Sequence, residues 1–341
     1  MNIGTFLLMQ SPSARPSEEI FARGVEQAQA AESLNFRNVW LGEHHFSTYG
    51  YLSRPLQLAT YIAAKTTRLR VGTAVIVVPL HHPLLIAEEI ATLDILSNGR
   101  ADIGLGRGYQ RYEFERLGLE LDTDASKWNE SLDIIIKAFE GKPFSYDGKL
   151  FKLPETSIFP KPVQKPRPPI WVVGQSPYAI EAAAKRGLNV LTGGFGVSVD
   201  RLAEFGQIFN KVVAEAKPAH KPLVGVQRAV YVTKDAADAR QAAEEARWNM
   251  RVTLSLRNNY EQVEKGRAIP VPGKTEPTMD ELLENYLVIG TPDTCIRQIR
   301  RIQEHVGISH FNCSFWIGDM EQARVLKSME LFSREVMPAF A

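Results

Sequence analysis

Eight short apolar runs alternate with helix-period segments along almost the whole chain, and this pattern limits the fold more than any other feature. The runs are Ile3–Met9, Asn38–Leu41, Leu69–Val77, Ala101–Leu105, Ile170–Val173, Val190–Thr192, Val224–Val232 and Phe311–Phe315. Most are apolar in succession rather than in alternation, as parallel strands covered on both faces must be. Between them lie segments with a 3.6-residue apolar repeat: one that opens after Pro16 and carries Ile20, Gly24, Val25, Ala28 and Ala31, then Pro55–Lys65, Leu84–Leu96, Lys127–Glu140, Pro177–Arg186, Val199–Ala216, Ala236–Met250, Pro292–His305 and Met320–Phe332. Strand–helix alternation repeated eight times predicts an α/β chain closed into a (β/α)8 TIM barrel. An open dinucleotide-binding sheet would show a glycine-rich turn after the first strand, and none is there.

A standard barrel uses about 250 residues, so roughly 90 of this chain's fall in insertions. Three stand out: Arg107–Ser126, the proline-rich Phe144–Pro169 with a hairpin around Asp147-Gly148, and Arg251–Leu287 after the seventh strand. A long polar stretch in a compact domain is an active-site lid or a disordered segment. The expectation is one domain over residues 1–341, with 251–287 as a mobile lid.

Composition removes several classes. Lys plus Arg number 40 and Asp plus Glu 39, for a formal net charge of +1. That balance offers no electrostatic footprint for nucleic acid or an anionic membrane. No run is long enough to span a bilayer, and the start Met1–Gln10 lacks the basic, extended apolar pattern of a secretory signal. Cys295 and Cys313 are too few for a disulfide framework or a zinc site. The expectation is a soluble, cytoplasmic protein without nucleic-acid or membrane partners.

Active sites of such barrels lie where the strands end. There the chain places Glu43-His44-His45-Phe46, His81-His82, Gly106-Arg107-Gly108-Tyr109, Gly174-Gln175-Ser176-Pro177, Phe195 and Trp316. A guanidinium matches phosphate oxygens in a fork, and Gly106 and Gly108 bare the backbone beside it. Gly174-Gln175-Ser176 enters a helix whose amides and dipole favour an anion. Arg107 paired with an acid such as Asp102 is the alternative. Adjacent histidines point different ways, so at most one of each pair should face the cavity. His44 is the proton shuttle candidate, since imidazole titrates near the working pH. His45 and His81 read as structural, bonded to Glu43 or to a subunit neighbour. Phe6, Phe46, Tyr109, Phe195 and Trp316 are candidates for an apolar wall.

The chain resembles the bacterial luciferase-like flavin monooxygenases, specifically the catalytic luciferase subunit and its two-component relatives. The resemblance runs over about residues 1–341. It is carried by Glu43-His44-His45-Phe46, Val71 to Val77, His82-Pro83, Leu96-Ser97-Asn98-Gly99-Arg100, Gly106-Arg107-Gly108, Val172 to Ser176, Ile289-Gly290-Thr291-Pro292 and Val336-Met337-Pro338. No one of these decides the matter; together, and in this order, they are specific. The resemblance implies a monooxygenase that uses reduced FMN and O2 to form a flavin hydroperoxide, which oxygenates a small, apolar organic substrate. It implies a separate NAD(P)H:flavin reductase, His44 as catalytic histidine, Arg107 and Ser176 at the phosphate, and a non-proline cis peptide at Ala74–Val75 under the flavin. Gly106, Gly174, Gln175 and Tyr109 complete the implied cofactor set, and no metal is called for. Family members commonly dimerise through the helices at 55–65 and 84–96, where His45 and Glu88 would meet. This chain departs from the luciferase subunit at Gln175 (acidic there), Ala179 (hydroxyl there) and Gly106 (cysteine there). Two other functions fit the same scaffold: a deazaflavin-dependent dehydrogenase and a non-catalytic flavin-binding or partner subunit.

Overall fold

The computed structural model describes residues 1–121, 125–218, 220–258 and 263–341. Its strands are β1 (Asn2–Leu7), β2 (Asn38–Leu41), β3 (Arg70–Val77), β4 (Ala101–Gly106), β5 (Phe144–Asp147), β6 (Lys152–Thr156), β7 (Ile170–Val173), β8 (Asn189–Gly193), β9 (Val224–Val232), β10 (Val263–Glu264), β11 (Arg267–Ala268), β12 (Val288–Gly290) and β13 (His310–Ser314). Its helices are α1 (Ser17–Ser33), α2 (Pro55–Lys65), α3 (Pro83–Leu96), α4 (Arg111–Arg116), α5 (Ser126–Phe139), α6 (Pro177–Lys185), α7 (Val199–Ala216), α8 (Ala236–Arg257), α9 (Met279–Asn285), α10 (Pro292–Val306) and α11 (Gln322–Glu335).

Strands β1, β2, β3, β4, β7, β8, β9 and β13 pair in parallel, and β8–β9 closes them into a ring. This is the (β/α)8 barrel expected from the alternation. The runs are apolar throughout because each strand is covered inside by the barrel core and outside by helices; β2, for instance, is buried at every residue. Trp40 and Trp171 meet edge-on inside at 5.6 Å.

Elsewhere the expected bounds shift. β5 and β6 form the hairpin expected around Asp147-Gly148. Helix α8 runs to Arg257, two turns beyond the Met250 expected from the periodicity. Met250, Val252, Thr253 and Leu256 keep its inner face buried, so packing sustains a helix whose polar outer face hides the repeat. The stretch taken for a lid at 251–287 therefore begins as helix. It continues as the small β10–β11 hairpin and α9, and ends at β12, which adds to the edge of β9. Asn259, part of the Arg257-Asn258-Asn259 sequence in that stretch, lies outside the described residues.

The ends that matter are set locally. Ser176 caps α6, accepting from the Ala179 amide at 3.2 Å, with Pro177 at the first turn. β3 changes register against β4 between Thr73 and Ile76, where the Ala74–Val75 peptide is cis. Among the described residues no helix is long and apolar enough to cross a membrane.

Candidate active site

A cavity of about 420 Å³ opens at the C-terminal ends of the strands. It gathers Phe6, His44, Ala74, Val75, Gly106, Arg107, Tyr109, Gly174, Gln175, Ser176 and Phe195. These eleven come from six different segments of the sequence, brought together by barrel closure. Two expected wall residues lie elsewhere. Phe46 is turned out to solvent, 46% exposed, because its own backbone is left-handed (φ 63°) just after the strand exit. Trp316 is buried against α1, with the Arg23 guanidinium 4.5 Å from its ring and its N–H donating to the Gly318 carbonyl at 3.2 Å. It stands two residues beyond the end of β13. Neither lines the cavity.

His44 lines the cavity against a buried carboxylate. Glu113 Oε1 lies 3.2 Å from His44 Nδ1 and also accepts from the His45 amide at 2.8 Å. An ionised carboxylate only accepts, so opposite Glu113 the neutral ring carries its proton on Nδ1 and leaves the other nitrogen free to accept; the Gln110 side-chain amide, also 3.2 Å from Nδ1, then turns its oxygen toward that proton. The imidazole packs edge-on to Tyr49 at 4.7 Å. Tyr49 Oη lies 3.3 Å from Tyr109 Oη and 3.0 Å from Thr253 Oγ1. Burial raises the pKa of both tyrosines, so both stay protonated.

Glu43 does different work behind the same wall. Burial would push its carboxyl up, yet His45 at 2.9 Å, His81 at 2.7 Å and the Val77 amide at 2.8 Å hold it below the usual range. The Glu43 amide also donates to the Val75 carbonyl. Glu43 thus clamps the stretch around the cis peptide, with His45 and His81 as its partners. Within this chain His45 is engaged with Glu43.

Arg107 is exposed and makes no hydrogen bond or ion pair with any described residue. Asp102, its possible partner on sequence grounds, is taken by Arg70 at 2.8 Å. The surroundings fit a planar, phosphate-bearing group. A Cβ on Gly106 would stand 2.8 Å from Val75 Cγ1, and one on Gly174 2.8 Å from Ala179 Cβ, so glycine keeps the floor and the α6 entrance open. Gln175 donates to the Gly193 carbonyl while its buried Oε1 has no partner, nor has Thr192 Oγ1. Both residues line the cavity, and unpaired buried oxygens there are acceptors for ring N–H groups. Among the described residues no cluster of His, Cys, Asp or Glu is placed to hold a metal ion.

The family model for luciferase-like monooxygenases matches residues 1–310. The chain belongs to this family. It is 28% identical to the oxygenase component of the flavin-dependent trigonelline monooxygenase of Acinetobacter baylyi, covering 100% of this chain and 96% of that protein. It is also 28% identical to the alkanal monooxygenase alpha chain of the Kryptophanaron alfredi symbiont, over 99% and 98% of the two. The crystal structure of monooxygenase RslO1 from Streptomyces bottropensis superposes with a TM-score of 0.85 at 23% identity, covering 100% of both chains.

Sequence reasoning missed Tyr49, Glu113, Thr253 and Arg257, all in the cavity wall of this family member. Glu113 sits in a six-residue helix with no periodicity to announce it. Thr253 and Arg257 lie on the part of α8 taken for a lid. Their four-residue spacing, which puts both on one helical face, was the signal available.

Proposed function

We propose that the chain is the oxygenating component of a two-component monooxygenase, taking reduced FMN from a separate NAD(P)H:flavin reductase and oxygenating a small organic substrate with O2. One observation carries the reading: a single cavity holds the His44–Glu113 pair, an unpaired Arg107 and the Ser176-capped start of α6. Arg107 and the α6 amides would hold the phosphate, and the Ser176 hydroxyl, which already accepts from Ala179, keeps its proton to donate. Ala74 and Val75 would floor the ring, with Gly106, Gly174, Gln175 and Tyr109 around it. Reduced flavin, when bound, supplies the two electrons with which O2 is activated.

The chain's own part is positioning, proton transfer and exclusion of water. His44, fixed by Glu113, takes up or returns a proton at its free nitrogen. Phe6, Leu8, Val77 and Phe195 exclude water from the cavity, which protects a reactive oxygenating species. Within the 251–287 stretch, the part beyond α8 that carries the β10–β11 hairpin serves as the lid. The protein is a cytoplasmic homodimer through α2 and α3, whose Tyr61, Leu85 and Leu96 are 52%, 58% and 58% exposed in the single chain.

Oxygen uptake with free reduced FMN, with and without candidate substrates, tests the reading. The expectation is uptake with one labelled oxygen atom in product. Hydride transfer from a reduced deazaflavin without oxygen uptake would replace it with a dehydrogenase. No turnover with either, but flavin binding retained, would leave a binding subunit.

A further inference from the structure

The cavity wall contains a second cation for which the proposed cofactor has no use. Arg257, at the C-terminal end of α8, lines the cavity with its guanidinium 5.2 Å from the Tyr109 ring centre. It makes no hydrogen bond or ion pair with any described residue. This is not the local habit of α8: Arg251, six residues earlier, is held by Glu276 at 2.6 Å, and Arg247 by Glu244 at 3.0 Å. Nor does the wall supply a counter-ion among the described residues. Its two carboxylates are committed, Glu43 to His45, His81 and Val77, and Glu113 to His44 and the His45 amide. Of two unpaired guanidiniums in one cavity, a single phosphate accounts for Arg107. Stacking on Tyr109 leaves the in-plane N–H donors of Arg257 unused, and those donors form the fork that matches a carboxylate.

We infer that Arg257 is the substrate's anion receptor: the chain oxygenates a compact organic carboxylate whose apolar body lies along Tyr109. This rests on the oxygenase reading and names the substrate class of the same site. Tyr109 links the two groups, with the Arg257 guanidinium 5.2 Å and the His44 ring 6.5 Å from its ring centre. An acid group held at Arg257 therefore keeps the substrate's body beside Tyr109, in the same part of the cavity as His44. Thr253, on the same face of α8, ties the receptor's helix to Tyr49 and so to the His44 pocket. The body of the substrate remains apolar, as the wall requires; the single charge is what the sequence alone did not reveal.

The test is calorimetric titration with matched acid and neutral pairs: nicotinate and nicotinamide, benzoate and benzamide, decanoate and decanal. Each is run on the protein with FMN bound and without it. At least one acid should bind about tenfold tighter than its neutral partner, the scale of one charge-assisted contact. Arg257→Gln should abolish that preference and change FMN affinity less than about twofold, while Arg257→Lys retains part of it. No acid preferred over its partner, or a preference that survives Arg257→Gln, overturns the inference. So does a tenfold loss of FMN affinity in Arg257→Gln, which would move this residue to the phosphate. Titrations without FMN read acid preference whether or not oxygen uptake is ever observed, so failure of the oxygenase reading is distinguishable.

Discussion

Replacing Arg107 by alanine removes, at the proposed phosphate end, a guanidinium that no acid among the described residues neutralises. A charge-assisted hydrogen bond contributes about 1.5–3 kcal/mol. Because Arg107 is exposed, water and salt screen it, and the lower figure applies. About 1.5 kcal/mol corresponds to roughly a tenfold weaker Kd. The measurement is an anaerobic titration of reduced FMN at two salt concentrations, repeated with reduced riboflavin, which has the same ring and no phosphate. The FMN Kd should rise about tenfold, and the difference between variant and parent should shrink as salt rises. The riboflavin Kd should not move. Equal losses for both flavins would show that Arg107 shapes the cavity rather than gripping a phosphate, and no loss for either would remove the assignment. Arg107→Lys, which keeps the charge but not the planar fork, should fall between.

Three further outcomes follow from other parts of the molecule. Glu113→Gln replaces a charged, acceptor-only partner of His44 by a neutral amide that can also donate, so neither the tautomer nor the imidazolium is held as before; substrate oxygenation should fall by roughly 10²-fold with a shifted pH profile and an unchanged FMN Kd, whereas an unshifted profile would make Glu113 merely structural. In Gly104→Ala the new methyl would stand 1.9 Å from the Thr73 carbonyl oxygen, a backbone atom that cannot swing away, so thermal unfolding should show a loss of about 1–3 kcal/mol; an unchanged Tm would mean that β3 yields. Burial pushes the His310 imidazole down to about 4, against an ordinary value of 6.5. Between those values the unfolded chain takes up a proton that the folded chain refuses, so stability should fall as pH drops through that window, and His310→Gln should flatten the slope in pH-dependent melting.

Much of this was legible because parallel strands buried on both faces have no choice but continuous apolar runs. The hairpin at Asp147-Gly148 was legible for an equally local reason, its turn residues. What escaped depends on direction and partnership. β12 is three residues long and gains its place only by pairing with β9. The outer face of α8 is polar, so its last two turns read as loop, and Thr253 and Arg257 went with them. Phe46 and Trp316 follow strand exits as the wall residues do, but Phe46 has a left-handed backbone and faces solvent, while Trp316 packs under the Arg23 guanidinium of α1. Glu113 was invisible since its meaning comes from His44, 69 positions earlier in the chain.

Thr48 joins two regions that the sequence keeps far apart. Its amide donates to the Gly266 carbonyl at 2.8 Å, and its hydroxyl accepts from the Ala268 amide at 3.2 Å. The β10–β11 hairpin is thereby latched to the loop that follows β2, four residues from His44. Lifting the hairpin breaks both bonds, at about 1–3 kcal/mol in total, and frees the loop that carries His44. If the hairpin opens to admit the proposed substrate, the same movement loosens the segment that carries the proposed base.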